Sequence, residues 1–204
     1  MISYFKNLKA SKLNQGITYV ELIVVLGIFA IMSSIVIFNY GAFQAKVDIK
    51  NLGSDIALKI VEAQKSSVSG KLPSTTLQAQ EIPGWKPSYG VYFDTTTPTQ
   101  FNYFVDLDQD NYLADPGCSG NSECLDRITI TKGSISQIEQ YIGTTHSSVS
   151  PLSVTFKRPN SGAFFKYNNT LLGVDYIQIT VVSSRSPTAT AKIKIFPSGR
   201  IQVD

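Results

Sequence analysis

From Ile17 to Phe38 the sequence carries a single charge, Glu21, in a run that is otherwise apolar, small or hydroxylated. As a helix rising about 1.5 Å per residue, this run reaches roughly 33 Å, the thickness of a bilayer's hydrocarbon core. It is predicted to cross a membrane once. The preceding segment, Met1 to Gly16, holds Lys6, Lys9 and Lys12 and no acid. Positive charge on short flanks stays on the cytoplasmic side, which sends everything after Phe38 across. The expectation is a single-pass membrane protein with its C-terminal domain outside the cytoplasm.

Glu21 is the unusual residue. A carboxylate inside an apolar span costs about 2.5–3.5 kcal/mol on insertion scales, so such a residue marks a site with a partner. A secretory signal would also place its cleavage site after the apolar core, whereas here the candidate junction, Gly16-Ile17, precedes it. Gly16, Ile17 and Glu21 match in identity and spacing the start of type IV pilins and of the pseudopilins of type II secretion, and the chain resembles that family. The resemblance implies a leader peptide over residues 1–16, removed after Gly16 by a prepilin peptidase that also N-methylates Ile17. It further implies a transmembrane, filament-core helix over 17–38 and an assembly role for Glu21. The other implied partners are pilin or pseudopilin subunits and an inner-membrane assembly platform.

The chemistry of the pair is direct. Cleavage after Gly16 would give Ile17 a free α-amine four residues before Glu21, on the same helical face. The resemblance implies that this pair forms between neighbouring subunits, the Glu of one meeting the amine of the next. In a medium of low dielectric an unpaired charge is disfavoured, so pairing sets an axial register. The family often has a proline near the end of the apolar half, where this chain has Phe38.

Beyond Phe38 the helical pattern turns amphipathic. Ala45, Ile49, Leu52, Ile56, Ile60 and Ala63 recur at steps of three and four, with charged residues mostly on other faces. The spacing predicts one helix from Ile17 to about Ser67, stopped by the run Ser66 to Gly70. Residues 39–69 are thus an amphipathic continuation into an outer domain, 70–204. Residues 70–88 read as a loop. Short β-branched and aromatic runs follow at 90–94, 101–107, 127–131, 153–158, 163–167, 175–182, 191–196 and 200–203, with Pro197-Ser198-Gly199 as a hairpin turn between the last two. Ser134 to Tyr141 is ambiguous between strand and helix. No crossover-helix pattern separates the runs, so an antiparallel arrangement is expected. The fold class is α+β, a long N-terminal helix packed on an antiparallel β-sheet domain, pilin-like in architecture.

The C-terminal half resembles a branch of the same family, the H-type minor pseudopilins and FimT-like minor pilins. The likeness lies in Val154-Thr155-Phe156 with Ser161-Gly162, and in a closing hairpin through Gly199-Arg200-Ile201-Gln202-Val203. Some FimT-like members bind DNA through a Gly-Arg-x-Arg motif, and here Gln202 stands at the second Arg. The net charge of +3 falls to zero once the three leader lysines are discounted. Non-specific DNA affinity scales with the number of phosphates neutralised, so both features argue against a strong DNA receptor.

Charge is nevertheless segregated. Residues 81–126 hold Lys86 against eight acids, and residues 127–204 hold nine bases against three. This is either a means of orienting neighbouring subunits or two solvated faces of one domain. Cys118 and Cys124 lie in a polar loop outside the cytoplasm, where a disulfide is the expectation. Asp106, Asp108 and Asp110 stand at positions one, three and five of a calcium-loop pattern, with the Tyr112 carbonyl at seven. Asn111 replaces the turn glycine and Gly117 the closing Glu, so Asp115, Glu123 or Asp126 would have to complete the shell. The alternative is an exposed acidic turn.

Enzymatic constellations are weak. His146 stands in a Gly-Thr-Thr-His-Ser-Ser run read as a loop, with no nucleophile elbow and no identified acid. Trp85 and the tyrosines suit either a sugar or partner surface or strand packing. The leading expectation is a non-enzymatic filament subunit, a minor one being favoured while the sequence leaves major against minor, and pilus against secretion apparatus, open. The rival is a membrane-tethered or pilus-tip binding module, an adhesin or a DNA-uptake minor pilin.

Overall fold

The structure is a computed structural model that describes residues 16–78, 81–119 and 123–204. Apart from Gly16, the leader expected over 1–16 lies outside the described residues. The chain divides into two compact units, Met1–Tyr40 and Gly41–Asp204, and one helix, α1 (Tyr19–Val68), contributes to both.

The helix starts where the sequence supplies a cap. Thr18 Oγ1 accepts a hydrogen bond from the Glu21 N–H at 3.2 Å, and the Thr18 carbonyl accepts the Leu22 N–H at 3.1 Å. Thr18-x-x-Glu21 is the spacing of a capping box, with Thr18 as N-cap. Within the first unit the described apolar side chains of α1, among them Leu22, Val25, Phe29, Met32 and Ile35, are exposed. By length and composition this is the one helix among the described residues apolar enough to cross a membrane. The other end closes on Gly70, whose positive φ of 71° suits glycine. Its N–H bonds the Ser67 carbonyl at 3.1 Å and the Lys71 N–H bonds the Ser66 carbonyl at 3.0 Å, the paired arrangement that satisfies the last carbonyls of a helix.

In the second unit the predicted amphipathic face is the buried one. Ala45, Ile49, Ile56, Ile60 and Ala63 are each at most 1% exposed, while Leu52 packs against their cluster half-buried. They meet two antiparallel sheets. The first is formed by β1 (Ser88–Phe93), β2 (Gln100–Val105), β3 (Cys124–Thr129), β6 (Leu152–Lys157), β7 (Ala163–Tyr167) and β8 (Thr170–Leu171), in the order β3-β2-β1-β6-β7-β8. The second is formed by β4 (Gly133–Ile142), β5 (Thr145–Ser148), β9 (Tyr176–Ser183), β10 (Thr190–Ile195) and β11 (Ile201–Val203), in the order β11-β10-β9-β4-β5. Alternation puts Tyr89, Val91, Phe93, Val154 and Phe156 of the first sheet, and Ile177, Ile179, Val181, Ile193 and Ile195 of the second, into one core with α1.

Four elements differ from the sequence reading, one of them the short β8, which no predicted run covers. The ambiguous segment is strand β4, and His146, expected in a loop, lies in β5. A short helix, α2 (Thr75–Gln78), interrupts the expected 70–88 loop because Leu77 is buried in the core.

Polar groups stitch α1 to the strands. The Ser67 hydroxyl, fully buried, donates to the Phe156 carbonyl at 2.6 Å and accepts the Tyr89 N–H at 3.0 Å. Gln64 Nε2 donates to the carbonyls of Ser161 at 2.7 Å and Gly199 at 3.0 Å. Asp48, 3% exposed, takes hydrogen bonds from Gln44 at 3.0 Å and Lys132 at 3.2 Å, with Arg185 at 3.9 Å. Burial pushes its carboxyl up, but the Lys132 and Gln44 bonds outweigh that and hold it below the usual range. Ser67→Ala would strand a buried donor and a buried acceptor together. It is expected to cost about 1–3 kcal/mol, measured by denaturant unfolding of the full chain in detergent, with Ser54→Ala on the exposed helix face as the neutral comparison.

Candidate functional site

Two places gather the functional residues expected from the sequence, one in each unit. At the start of α1, Gly16 and Ile17 precede the cap and are exposed, as is Glu21. Glu21 is bound only through its backbone. Its carboxylate makes no hydrogen bond or ion pair among the described residues. Thr18 was the residue missed here, although the Thr-x-x-Glu spacing announces it.

The second place is the acidic loop between β2 and β3, which folds over the outer face of the first sheet. That face carries Tyr92 and Phe104, and Leu113 of the loop covers them as a second, smaller core. Gly90 sits between Phe104 and Thr155, where a Cβ would lie 2.7 Å from both side chains. The loop is tied down along its length. Asn111 Oδ1 accepts from Thr155 Oγ1 at 3.0 Å, Asn102 Nδ2 donates to the Pro116 carbonyl at 2.8 Å, and Arg127 donates to the carbonyls of Pro116 and Gly117. Lys166 of β7, 6% exposed, donates to the Asp110 carbonyl at 2.6 Å and pairs with Asp110 Oδ2 at 3.2 Å. Cys118 and Cys124 are bonded across six residues, with their Cα atoms 5.2 Å apart.

This tethering rearranges the expected ligand set. Asp110 is taken by Lys166, and its Oδ1 accepts the Tyr112 N–H at 2.6 Å. Of the expected Asp106, Asp108 and Asp110, Asp110 thus faces a lysine. The carboxylates that converge are Asp106, Asp108 and Glu123, whose ligand atoms all lie within 4.8 Å of one another. Of the residues considered for completing the shell, Asp115 instead accepts the N–H groups of Gly117 and Ser119, and Asp126 pairs with Lys59 at 3.7 Å. Gln109 and Asn111 both have positive φ, 58° and 64°, so an asparagine does take the left-handed position of the turn glycine.

Each member of the trio is fixed by the protein. Asp106 is fully buried. Its Oδ2 accepts from Ser88 Oγ at 2.9 Å and from the Asn111 N–H at 3.3 Å, while Trp85 Nε1 grips its carbonyl at 2.7 Å. Trp85 thus serves as a brace for the loop, packed against the main core. Glu123 Oε1 accepts the Leu107 N–H at 2.7 Å, and Asp108 Oδ1 accepts the Asp110 N–H at 3.1 Å. Burial pushes the Asp106 carboxyl up to about 6 and that of Glu123 up to about 7, and in both the neighbouring acids add to the rise. All donors are oxygens, the set that suits calcium or magnesium and not zinc.

The remaining candidates have local partners. His146 stacks on Tyr141 at 5.3 Å with Nδ1 3.2 Å from Glu139 Oε1. Arg200 lies 3.8 Å over the Phe196 ring, and Gln202 donates to Asp204 at 2.7 Å.

The raised carboxyls fix the sign of a pH effect. Their ordinary values are 3.8 and 4.5, so between about pH 4 and 7 the folded chain holds protons that the unfolded chain has released. In chelator-treated buffer their contribution to stability is present below pH 4 and lost as pH rises through about 6 to 7. Melting of the full chain in detergent at pH 4.5 and 7.5 is expected to show this loss, and Asp106→Asn is expected to shrink it. Among known proteins, no family model, curated protein or solved structure matches the chain, so its functional reading rests on its own residues.

Proposed function

We propose that this chain is a non-enzymatic filament subunit of the type IV pilin or type II secretion pseudopilin kind, cut after Gly16, methylated on Ile17 and polymerised through the apolar half of α1. The observation that carries the reading is the conjunction of Gly16, Ile17 and Glu21 at the capped start of an apolar helix, with the Glu21 carboxylate without a partner among the described residues.

An acid in this position is disfavoured in lipid unless a cation meets it, and cleavage at Gly16 creates one at Ile17. Pairing between copies would neutralise both charges and fix the axial step of a helical bundle. The second unit supports the reading by being a complete domain. Its core is closed by residues 45–63 of α1 and the two sheets, so the segment before Gly41 is not needed to fill it. The partners this implies are a prepilin peptidase and N-methyltransferase, further subunits and an inner-membrane assembly platform, with the β-rich domain outside the cytoplasm.

The test is mass spectrometry of the native chain together with its recovery in sheared filaments. The expected mature chain begins at methylated Ile17. Glu21→Ala is expected to lower incorporation into filaments by an order of magnitude or more while leaving the unfolding of the outer domain unchanged. Replacing Gly16 with a bulky residue is expected to block cleavage. A native chain that still begins at Met1, or normal filaments built from Glu21→Ala, would overturn the reading.

A further inference from the structure

We propose that Asp106, Asp108 and Glu123 bind a divalent cation of the calcium class, at the place where the pairing of β2 with β3 brings Glu123 beside the other two. The proposal is independent of the filament reading.

Proximity of acids alone would not make a site, and two further observations do. Asp106 is fully buried, and its Oδ1 has no hydrogen-bond partner among the described residues, although its Oδ2 has two. A buried carboxylate oxygen without a donor is a costly vacancy unless something positive meets it. In addition, none of the three carboxylates makes a salt bridge among the described residues, even though Asp110 of the same loop and Asp126 of β3 each find a lysine. The chain has cations to spend on this loop and spends them elsewhere.

The geometry suits an ion in size and in preorganisation. Oxygens at the 2.3–2.6 Å of a calcium shell lie at most about 5 Å apart, which accommodates the observed convergence within 4.8 Å. The Leu107 N–H holds Glu123 by Oε1, Ser88 and Asn111 hold Asp106 by Oδ2, and Trp85 holds the Asp106 backbone, so the carboxylates need little reordering on binding.

Strand pairing brings Glu123 to the other two. Asp106 and Asp108 follow directly on β2, and Glu123 immediately precedes β3. The Glu123 carbonyl accepts the Val105 N–H at 2.9 Å and Cys124 pairs with Phe104, so the ladder itself sets Glu123 beside Asp106. The Cys118–Cys124 disulfide joins the end of the loop to the start of β3.

The experiment is calorimetric titration of the full chain in non-ionic detergent, stripped with chelator, using calcium chloride as probe. One saturable site is expected, with a dissociation constant on the order of 10⁻⁵–10⁻³ M. Glu123→Gln and Asp108→Asn are each expected to weaken it about tenfold or more, while Asp55→Asn on the exposed face of α1 leaves it unchanged. No heat of binding at millimolar calcium, or equal affinity in Glu123→Gln, overturns the site. Equal affinity for magnesium overturns the calcium class.

Discussion

The second unit depends on one interaction, the burial of a single stripe of α1 against two sheets at once. Ile49, Ile56 and Ile60 are essentially inaccessible, and a fully buried isoleucine contributes about 1.5–3 kcal/mol relative to exposure. Neither sheet has a helix of its own to cover its apolar face apart from this stripe and the short α2. Close approach is set by small residues. A Cβ on Gly53 would lie 3.2 Å from Val203 and 3.3 Å from Ala191, so the helix meets β10 and β11 almost backbone to side chain. Gly133 performs the same service at the start of β4, where a Cβ would lie 2.5 Å from the Val182 carbonyl.

Because α1 and the second sheet occupy the inner side, the outer face of the first sheet has to be covered by something else. The acidic loop does this, and the charge asymmetry read from the sequence becomes partly internal as a result. Asp110 is met by Lys166, which pins the excursion between β2 and β3 to β7, and Asp126 by Lys59, which ties β3 to α1. Tyr92, Phe104 and Leu113 then form a small core that exists only while the loop is down. The same tethering brings Glu123 back beside Asp106 and Asp108. Packing thus assembles the acidic trio as a by-product of covering an apolar face.

Most of the strands were legible because each is a run of β-branched and aromatic residues bounded by turn formers, and β7 was read to the residue. The failures have local causes. In β4, Ile135 and Ile138 are spaced as on a helix, yet both enter the core, because the strand shifts register between Ile135 and Gln137. An inserted residue changes parity, and period-two reasoning cannot see it. Thr145–Ser148 is a polar edge strand with no apolar alternation, so His146 looked like a loop residue. Thr170–Leu171 is short, but Asn168 and Asn169 both have positive φ, and that Asn-Asn pair was a readable hairpin signal. The division into two sheets was not legible, since the β1–β6 and β4–β9 pairings join distant segments and no local pattern encodes them. In the acidic loop the pattern picks out Asp106 and Asp108, which converge with Glu123, while the contact of Lys166 with Asp110 comes from 56 residues away and leaves no mark on the motif.

At the start of α1, local and intermolecular explanations of Glu21 compete for the same residue. Capping accounts for Thr18, whose hydroxyl satisfies the Glu21 N–H, and it would be served by any residue at the third helical position. It does not account for a carboxylate, since no donor within the described chain uses it. The helix dipole helps, because an anion in the first turn faces the positive end, which is worth about 0.3–1 kcal/mol at an exposed site. That is smaller than the roughly 2.5–3.5 kcal/mol that burial of an acid in lipid costs at the centre of a span. The shortfall is the physical content of the filament reading. In that reading a second positive charge meets the acid, and cleavage at Gly16 supplies it four residues away in sequence on every copy of the chain.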